Sequence, residues 1–447
     1  METQIPSSLC AEKMAAAAAG PRLYRPRRPE RTVLYRALAA EFERFLGVYE
    51  DRFERTHGYF RRAVEKAVYR YLDCGIFAHG VARAHCSECG HDVLVAFSCK
   101  LRCLCPSCHQ KRELLWTEWA AELLAEVPHR QVVFTIPKRL RIYFRFDRKL
   151  LGELPGCAWR AIRLYFRAWF DGQPVVPGAV GFLQTAGELL GWHPHLHVLL
   201  SDGGWLPDGT FRHLLAFDSS AIEKLFRAEV LRLLDARSKI SEEVVANLLS
   251  WRHSGFSVHA GAPVDSRPEA VRLGRYGIRC PLVLERLSWD ETSGEIGYRA
   301  RAGHRDGRGD CVARWDVLEF LARVLDHVPD PGQQLLRYWG WYSNAARGRR
   351  ERIEGRASAA PAGDSATDPD EVESRRRRLT WSQLIRKVYE LDPLLCPYCG
   401  SQLEIVAFVV DWVSLRRLLT HLGFAPQQPE PLAHAPPHDA EPRRAHA

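Results

Sequence analysis

The sequence predicts an α+β protein in which short strands interleave with helices across roughly residues 130–330, behind a helical metal-binding segment. Three observations carry this expectation. Residues 131–136 (QVVFTI), 179–185 (AVGFLQT) and 191–200 are compact apolar runs with turn signals around them, which is how buried strands read. Residues 152–170, 221–234 and 242–249 place apolar side chains at helical spacing between or after those strands. Two Cys-x-x-Cys pairs, fifteen residues apart, precede them all.

Residues 1–30 are rich in alanine and arginine and are expected to be a poorly ordered tail. Within 31–128, Leu34, Leu38, Phe42, Phe45 and Leu46 recur at helical spacing, and 114–127 (LLWTEWAAELLAEV) is a second amphipathic helix. These helices flank the cysteines, so 31–128 is expected to be a helical zinc-binding domain. Residues 129–353 form the α+β domain. Gly203-Gly204 is expected to close the 191–200 strand as a turn, 256–259 reads as a short strand, and 289–310 as a two-stranded hairpin. Residues 354–378 are Ala/Ser/Pro/Asp-rich and aperiodic, a linker. Residues 379–424 hold a short helix at 381–391 and a third Cys-x-x-Cys, and 425–447 is a Pro/His/Ala-rich tail expected to be disordered.

A chain of 447 residues exceeds one typical core, so several domains are expected. A net charge of +9 favours an anionic partner. No apolar run is long enough for a bilayer span, and the Ala15–Ala19 run is not a signal-peptide core, which argues against a membrane or secreted protein. The metal-type spacing of most of the 13 cysteines fits a reducing cytosol.

The chemistry concentrates in three places. His195 and His197 alternate with Leu196, so on a strand they share one face roughly 6.6 Å apart, half of a divalent-cation site. Cys86, Cys89, Cys105 and Cys108 match the tetrahedral thiolate cage of a structural Zn²⁺. Cys74, Cys99, Cys103, His79, His85 and His91 lie close enough to substitute for one of them. Lys100, Arg102, Lys111 and Arg112 flank this cluster and suit phosphates. Cys396 and Cys399 are half a site, a candidate second zinc position with His421 the nearest further ligand. Finally, Tyr276 stands among Arg272, Arg275 and Arg279, where guanidinium forks suit a phosphodiester and the phenol suits attack on phosphorus.

These residues, with Phe97-Ser98-Cys99-Lys100, Val133-Phe134-Thr135-Ile136-Pro137-Lys138, His193-Pro194-His195-Leu196-His197, Gly255-Phe256-Ser257-Val258-His259, Leu284-Glu285-Arg286-Leu287, Arg337-Tyr338-Trp339-Gly340 and Leu394-Leu395-Cys396-Pro397-Tyr398-Cys399-Gly400, resemble the HUH rolling-circle transposases of the insertion sequence ninety-one family. The resemblance implies an HUH endonuclease domain, a central antiparallel sheet flanked by helices. It implies Mg²⁺ or Mn²⁺ on His195 and His197, and Tyr276 taking the 5′ phosphate while a 3′-OH is freed. The implied partners are single-stranded DNA at transposon ends and target DNA, the implied compartment the bacterial cytoplasm and its nucleoid. His259, Gln184, Glu188 and His193 are the candidates for a third metal ligand, with His259 leading because it lies in a matched segment. Founding members carry two tyrosines one turn apart; here Arg272 and Cys280 occupy the positions four before and four after Tyr276. The chain therefore resembles the single-tyrosine branch, which implies sequential cleavage or a homodimer. The alternative is a non-catalytic, zinc-stabilised protein that binds single-stranded DNA. A hydrolase acting on a small molecule is disfavoured because no HExxH, nucleophile elbow or phosphate loop is present.

Overall fold

The computed structural model describes residues 28–251, 255–301, 311–358, 395–396 and 398–424. The expected N-terminal tail before residue 28, the linker from 359 with Arg375–Arg378, the helix over 381–391 and the C-terminal tail from 425 lie outside the described residues. The chain divides into two compact units, one of residues 1–30, 73–99 and 364–447, the other of 31–72 and 100–363. The segment read as one zinc-binding domain, 31–128, is thus shared between both. Among the described residues no helix is long and apolar enough to cross a membrane.

In the first unit, β1 (Val81–His85) and β2 (Asp92–Ala96) form an antiparallel hairpin, and the strand Glu404–Val409 adds to the free side of β1. This pairing is why 73–99 leaves its sequence neighbours: its sheet partner comes from the far end of the chain. The helix Trp412–His421 covers the sheet, packing Leu415 and Leu419 on Val81 and Leu94.

The second unit is built on an antiparallel sheet. Its strands are β3 (His129–Thr135), β4 (Val176–Ala186), β5 (Trp192–Trp205), β6 (Phe211–His213), β7 (Ser257–Ala260) and, after a separate sheet of β8 (Leu287–Asp290), β9 (Glu295–Arg299) and β10 (Val312–Asp316), β11 (Leu336–Gly340). The order is β11-β4-β5-β3-β7, with β6 paired to the end of β5. The α+β expectation with a central antiparallel sheet holds. Three local readings change. β5 runs through Gly203-Gly204 instead of turning there, because β6 continues the ladder opposite those glycines. The 289–310 hairpin is β8–β9, and β10 makes it a three-stranded sheet. The helix Asn344–Ser358 also reaches past 353 into the expected linker.

Period-two alternation decides which face of the sheet is core. Phe134, Leu183, Leu196 and Val198 point to one side and bury against the helices Arg148–Trp169 and Ser219–Ala236. The helix Val33–Arg52 and its followers belong to this unit through charged ties: Arg52 pairs with Asp316, and His57 with the buried Asp326, which Arg145 also holds.

Candidate active site

The face of the central sheet opposite that core carries the histidines. In register, Thr135 and Gln184 flank His195, while Val133 and Phe182 flank His197. His193, His195 and His197 follow one another on that face, with ring centroids 4.9 and 5.0 Å apart. Burial pushes all three imidazoles down, His193 to about 4 and His197 to about 3, so at neutral pH they carry lone pairs and no charge. His195 Nδ1 lies 2.7 Å from the carbonyl of His193, which fixes its N–H there and leaves Nε2 as an acceptor. His197 Nδ1 is 3.1 Å from the side-chain amide of Gln131.

Tyr276 arrives on the helix Arg267–Gly277. Ser266 caps its start, its hydroxyl accepting from the Glu269 N–H while donating to the Glu269 carboxylate. Its end is held by two side chains that satisfy the terminal carbonyls. Gln184 Nε2 donates to Gly277 O at 2.6 Å, and His109 Nε2 to Ile278 O at 2.5 Å. His109 accepts the Cys103 N–H on Nδ1, so a single neutral tautomer satisfies both contacts, and burial lowers its pKa. The helix comes close because two glycines face inward: a Cβ at Gly274 would stand 2.2 Å from Trp116, and one at Gly277 2.7 Å from Phe182. This seating puts the Tyr276 ring edge-on to His197, with centroids 5.7 Å apart, and leaves it 39% exposed.

Histidines and tyrosine together line one cavity of about 300 Å³. Six arginines also line it (Arg102, Arg112, Arg148, Arg279, Arg286 and Arg301), against one acid among the described lining residues, Glu188. Such a wall attracts a phosphodiester. Of the arginines expected to meet DNA, Arg279 lies over the Tyr276 ring at 4.5 Å and Arg112 lines the cavity. Arg102 lines it too, bonded to the Gln333 carbonyl at 2.6 Å. Arg275 instead pairs with Glu113 at 2.6 Å, and the exposed Arg272 reaches Glu269 at 3.7 Å, outside the cavity. Lys100 is exposed and Lys111 half-buried, both away from the lining.

The four candidate third ligands separate. His259 pairs with Val133, which in turn pairs with His197, so it stands two strands from His197. It is exposed and does not line the cavity. Glu188 is occupied by Arg286 and Arg301. Gln184, directly across from His195, and His193, whose buried Nε2 has no hydrogen-bond partner, both line the cavity. That orphaned nitrogen and the neutral imidazoles fit a divalent cation.

The first unit holds a different site. The four sulfurs of Cys86, Cys89, Cys396 and Cys399 lie within 4.8 Å of one another, with Cys86–Cys399 at 3.5 Å and Cys89–Cys396 at 3.4 Å. A tetrahedral Zn–S₄ cage needs sulfurs about 3.8 Å apart. The expected partners of Cys86 and Cys89 were Cys105 and Cys108; these lie at the start of the helix Pro106–Leu123 in the other unit, where they remain candidate metal ligands in a cysteine group separate from Cys86 and Cys89. The reason is that the two converging knuckles have one backbone design. Cys86 N–H bonds His91 O while Gly90 N–H bonds Cys86 O; Cys396 N–H bonds Ser401 O while Gly400 N–H bonds Cys396 O. Gly90 and Gly400 take φ of 72° and 78°. His421, at the end of the covering helix, is not among the four ligands. The Cys399 thiol is pushed down to about 6, chiefly by the Ser401 hydroxyl and N–H, which favours the thiolate a metal needs. Tyr398 stacks on His91 at 3.8 Å, joining the knuckles on their outer side.

Comparison with known proteins points to transposases. Residues 178–350 match a family described as "Putative transposase", and residues 45–136 match one described as "Transposase zinc-binding domain". The chain is 25% identical over 363 residues to the "Transposase for insertion sequence element IS801" of Pseudomonas savastanoi pv. phaseolicola, covering 77% of this chain and 83% of that protein. It is 26% identical over 395 residues to the "Putative transposase y4qJ" of Sinorhizobium fredii (strain NBRC 101917 / NGR234), covering 82% and 94%. No solved structure matches. Two transposase family descriptions are thus matched in tandem, and transposase relatives cover most of the chain's length.

Proposed function

We propose that the chain nicks and rejoins single-stranded DNA at element ends through a 5′-phosphotyrosine on Tyr276, in rolling-circle-type transposition. The observation that carries this reading is the edge-on contact of Tyr276 with His197 in an arginine-lined cavity. His195 and His197 would hold Mg²⁺ or Mn²⁺, with Gln184 or His193 completing the set. A cation bound there supplies charge stabilisation at the scissile phosphate. The arginine wall orients the phosphodiester, and Tyr276 Oη attacks phosphorus in line with the departing 3′ oxygen. With one tyrosine in the cavity, cleaving and rejoining two strands takes two successive rounds or two copies of the chain. The enzyme works where its DNA lies, on the bacterial nucleoid.

The test is incubation with a labelled single-stranded oligonucleotide carrying the element's end, with Mg²⁺ or Mn²⁺, followed by a denaturing gel and mass spectrometry. The reading expects a covalent adduct on Tyr276 that EDTA abolishes and Tyr276→Phe eliminates while DNA binding persists. Binding without any adduct, across metals and both strands, would establish the non-catalytic alternative instead.

A further inference from the structure

We propose that Arg301 is a catalytic residue that stabilises the Tyr276 phenolate, and that Glu188 is the positioning residue that holds it there; this rests on Tyr276 being the nucleophile. Arg301 Nη1 donates to Tyr276 Oη at 2.9 Å, and its guanidinium carbon lies 5.7 Å from the ring centroid. It is the one contact among the described residues made to the reacting oxygen itself.

The placement of Arg301 is built. Glu188 accepts the Arg301 backbone N–H at 2.6 Å on Oε1, and its Oε2 stands 3.6 Å from Arg301 Nε. The same carboxylate takes Arg286, which is anchored in turn over the Tyr298 ring at 4.4 Å. Glu188 lies in the turn between β4 and β5, so the hairpin that presents the histidines also holds the arginine that meets the tyrosine. One acid facing two guanidinium groups is spent as an anchor.

The chemistry follows from the guanidinium's permanent charge, which makes it a donor and never a base. In cleavage the Oη–P bond forms and the P–O3′ bond breaks; the phenol proton passes to solvent and the released O3′ takes a proton from solvent. In rejoining, a 3′-OH attacks the phosphotyrosine, losing its proton to solvent. The P–Oη bond breaks and the electron pair returns to Oη. Negative charge rests on Oη in both directions, 2.9 Å from a fixed donor. Lysine cannot reproduce the arrangement, because one ammonium cannot match the fork that reaches Oη and Glu188 together.

The experiment compares full-length wild type, Arg301→Ala, Arg301→Lys and Glu188→Gln for single-turnover adduct formation and rejoining, with oligonucleotide binding measured in parallel. Arg301→Ala is expected to slow both directions about 100-fold or more, a loss well beyond any weakening of oligonucleotide binding. Arg301→Lys and Glu188→Gln should fall between it and wild type. Placing 3,5-difluorotyrosine at position 276 should recover much of the loss in Arg301→Ala, since the fluorines stabilise the phenolate that the guanidinium no longer reaches. Wild-type rates in Arg301→Ala, or a loss that difluorotyrosine leaves untouched, overturn the proposal. If wild type forms an adduct on Tyr276 and Arg301→Ala matches it, only this inference fails; if wild type forms none, the nucleophile assignment fails first.

Discussion

Replacing Gly277 by alanine should damage catalysis more than stability, and the structure gives the size of both effects. A Cβ at 277 would meet Phe182 at 2.7 Å, 0.7 Å inside the 3.4 Å of ordinary contact. Phe182 cannot yield freely: it is 2% exposed and packs edge-on against Trp116 at 5.2 Å. The helix must therefore lift by a large part of 0.7 Å, carrying Tyr276 away from His197 and the Gly277 carbonyl away from Gln184. Overpacking costs about 1–3 kcal/mol, and a helical Gly→Ala change returns about 1 kcal/mol, so net destabilisation stays below about 2 kcal/mol. A displacement approaching 1 Å at reacting atoms, by contrast, can slow chemistry about 100-fold. Single-turnover adduct formation beside a thermal melt separates the two. Gly348→Ala, a helical glycine with nothing within 4 Å, should only gain stability. If Gly277→Ala keeps both the wild-type rate and the wild-type midpoint, the argument that glycines seat the tyrosine is wrong.

Two further outcomes are expected. Cys86→Ser and Cys396→Ser should each remove one zinc equivalent by elemental analysis, and the double variant should also remove only one. A loss of two would mean that the knuckles bind metal separately. In metal-free protein, burial holds His129, His193 and His327 down to about 4 and His197 to about 3. Below the unfolded value near 6.5 the unfolded chain binds more protons than the folded one, so stability is lost as pH falls from about 6.5 towards 4. The slope is at most about 1.4 kcal/mol per pH unit for each histidine. Thermal midpoints should be level above pH 7 and fall below 6.5; a midpoint rising towards pH 5 would contradict this.

The parts of the site that follow from local rules were legible in the sequence. Alternation on a strand is enough to put His195 and His197 on one face, and the arginines around Tyr276 mark the tyrosine. What required the folded chain was pairing between distant segments. The proximity of Cys105 and Cys108 favours them as partners of Cys86 and Cys89. The usable signal was the residue after each pair: Gly90 and Gly400 follow two of them, whereas His109 follows Cys108 and Pro106 starts a helix there. His259 lay in a motif but two strands from His197, a distance that only sheet order reveals. Arg301 and Glu188 are 113 residues apart, and neither carries a local pattern.

The thiolate knot also imposes an order on the birth of the molecule. Cys89 and Cys396 are 307 residues apart, so β1 and β2 emerge from the ribosome long before their ligands and their third strand exist. Closing a loop of that length costs about 5 kcal/mol in chain entropy, which zinc binding at about 10–16 kcal/mol outweighs. A nascent or truncated chain lacking the last Cys-x-x-Cys would leave the early hairpin exposed as an open edge, a target for proteolysis. Only a chain translated through Cys399 can lock its early half.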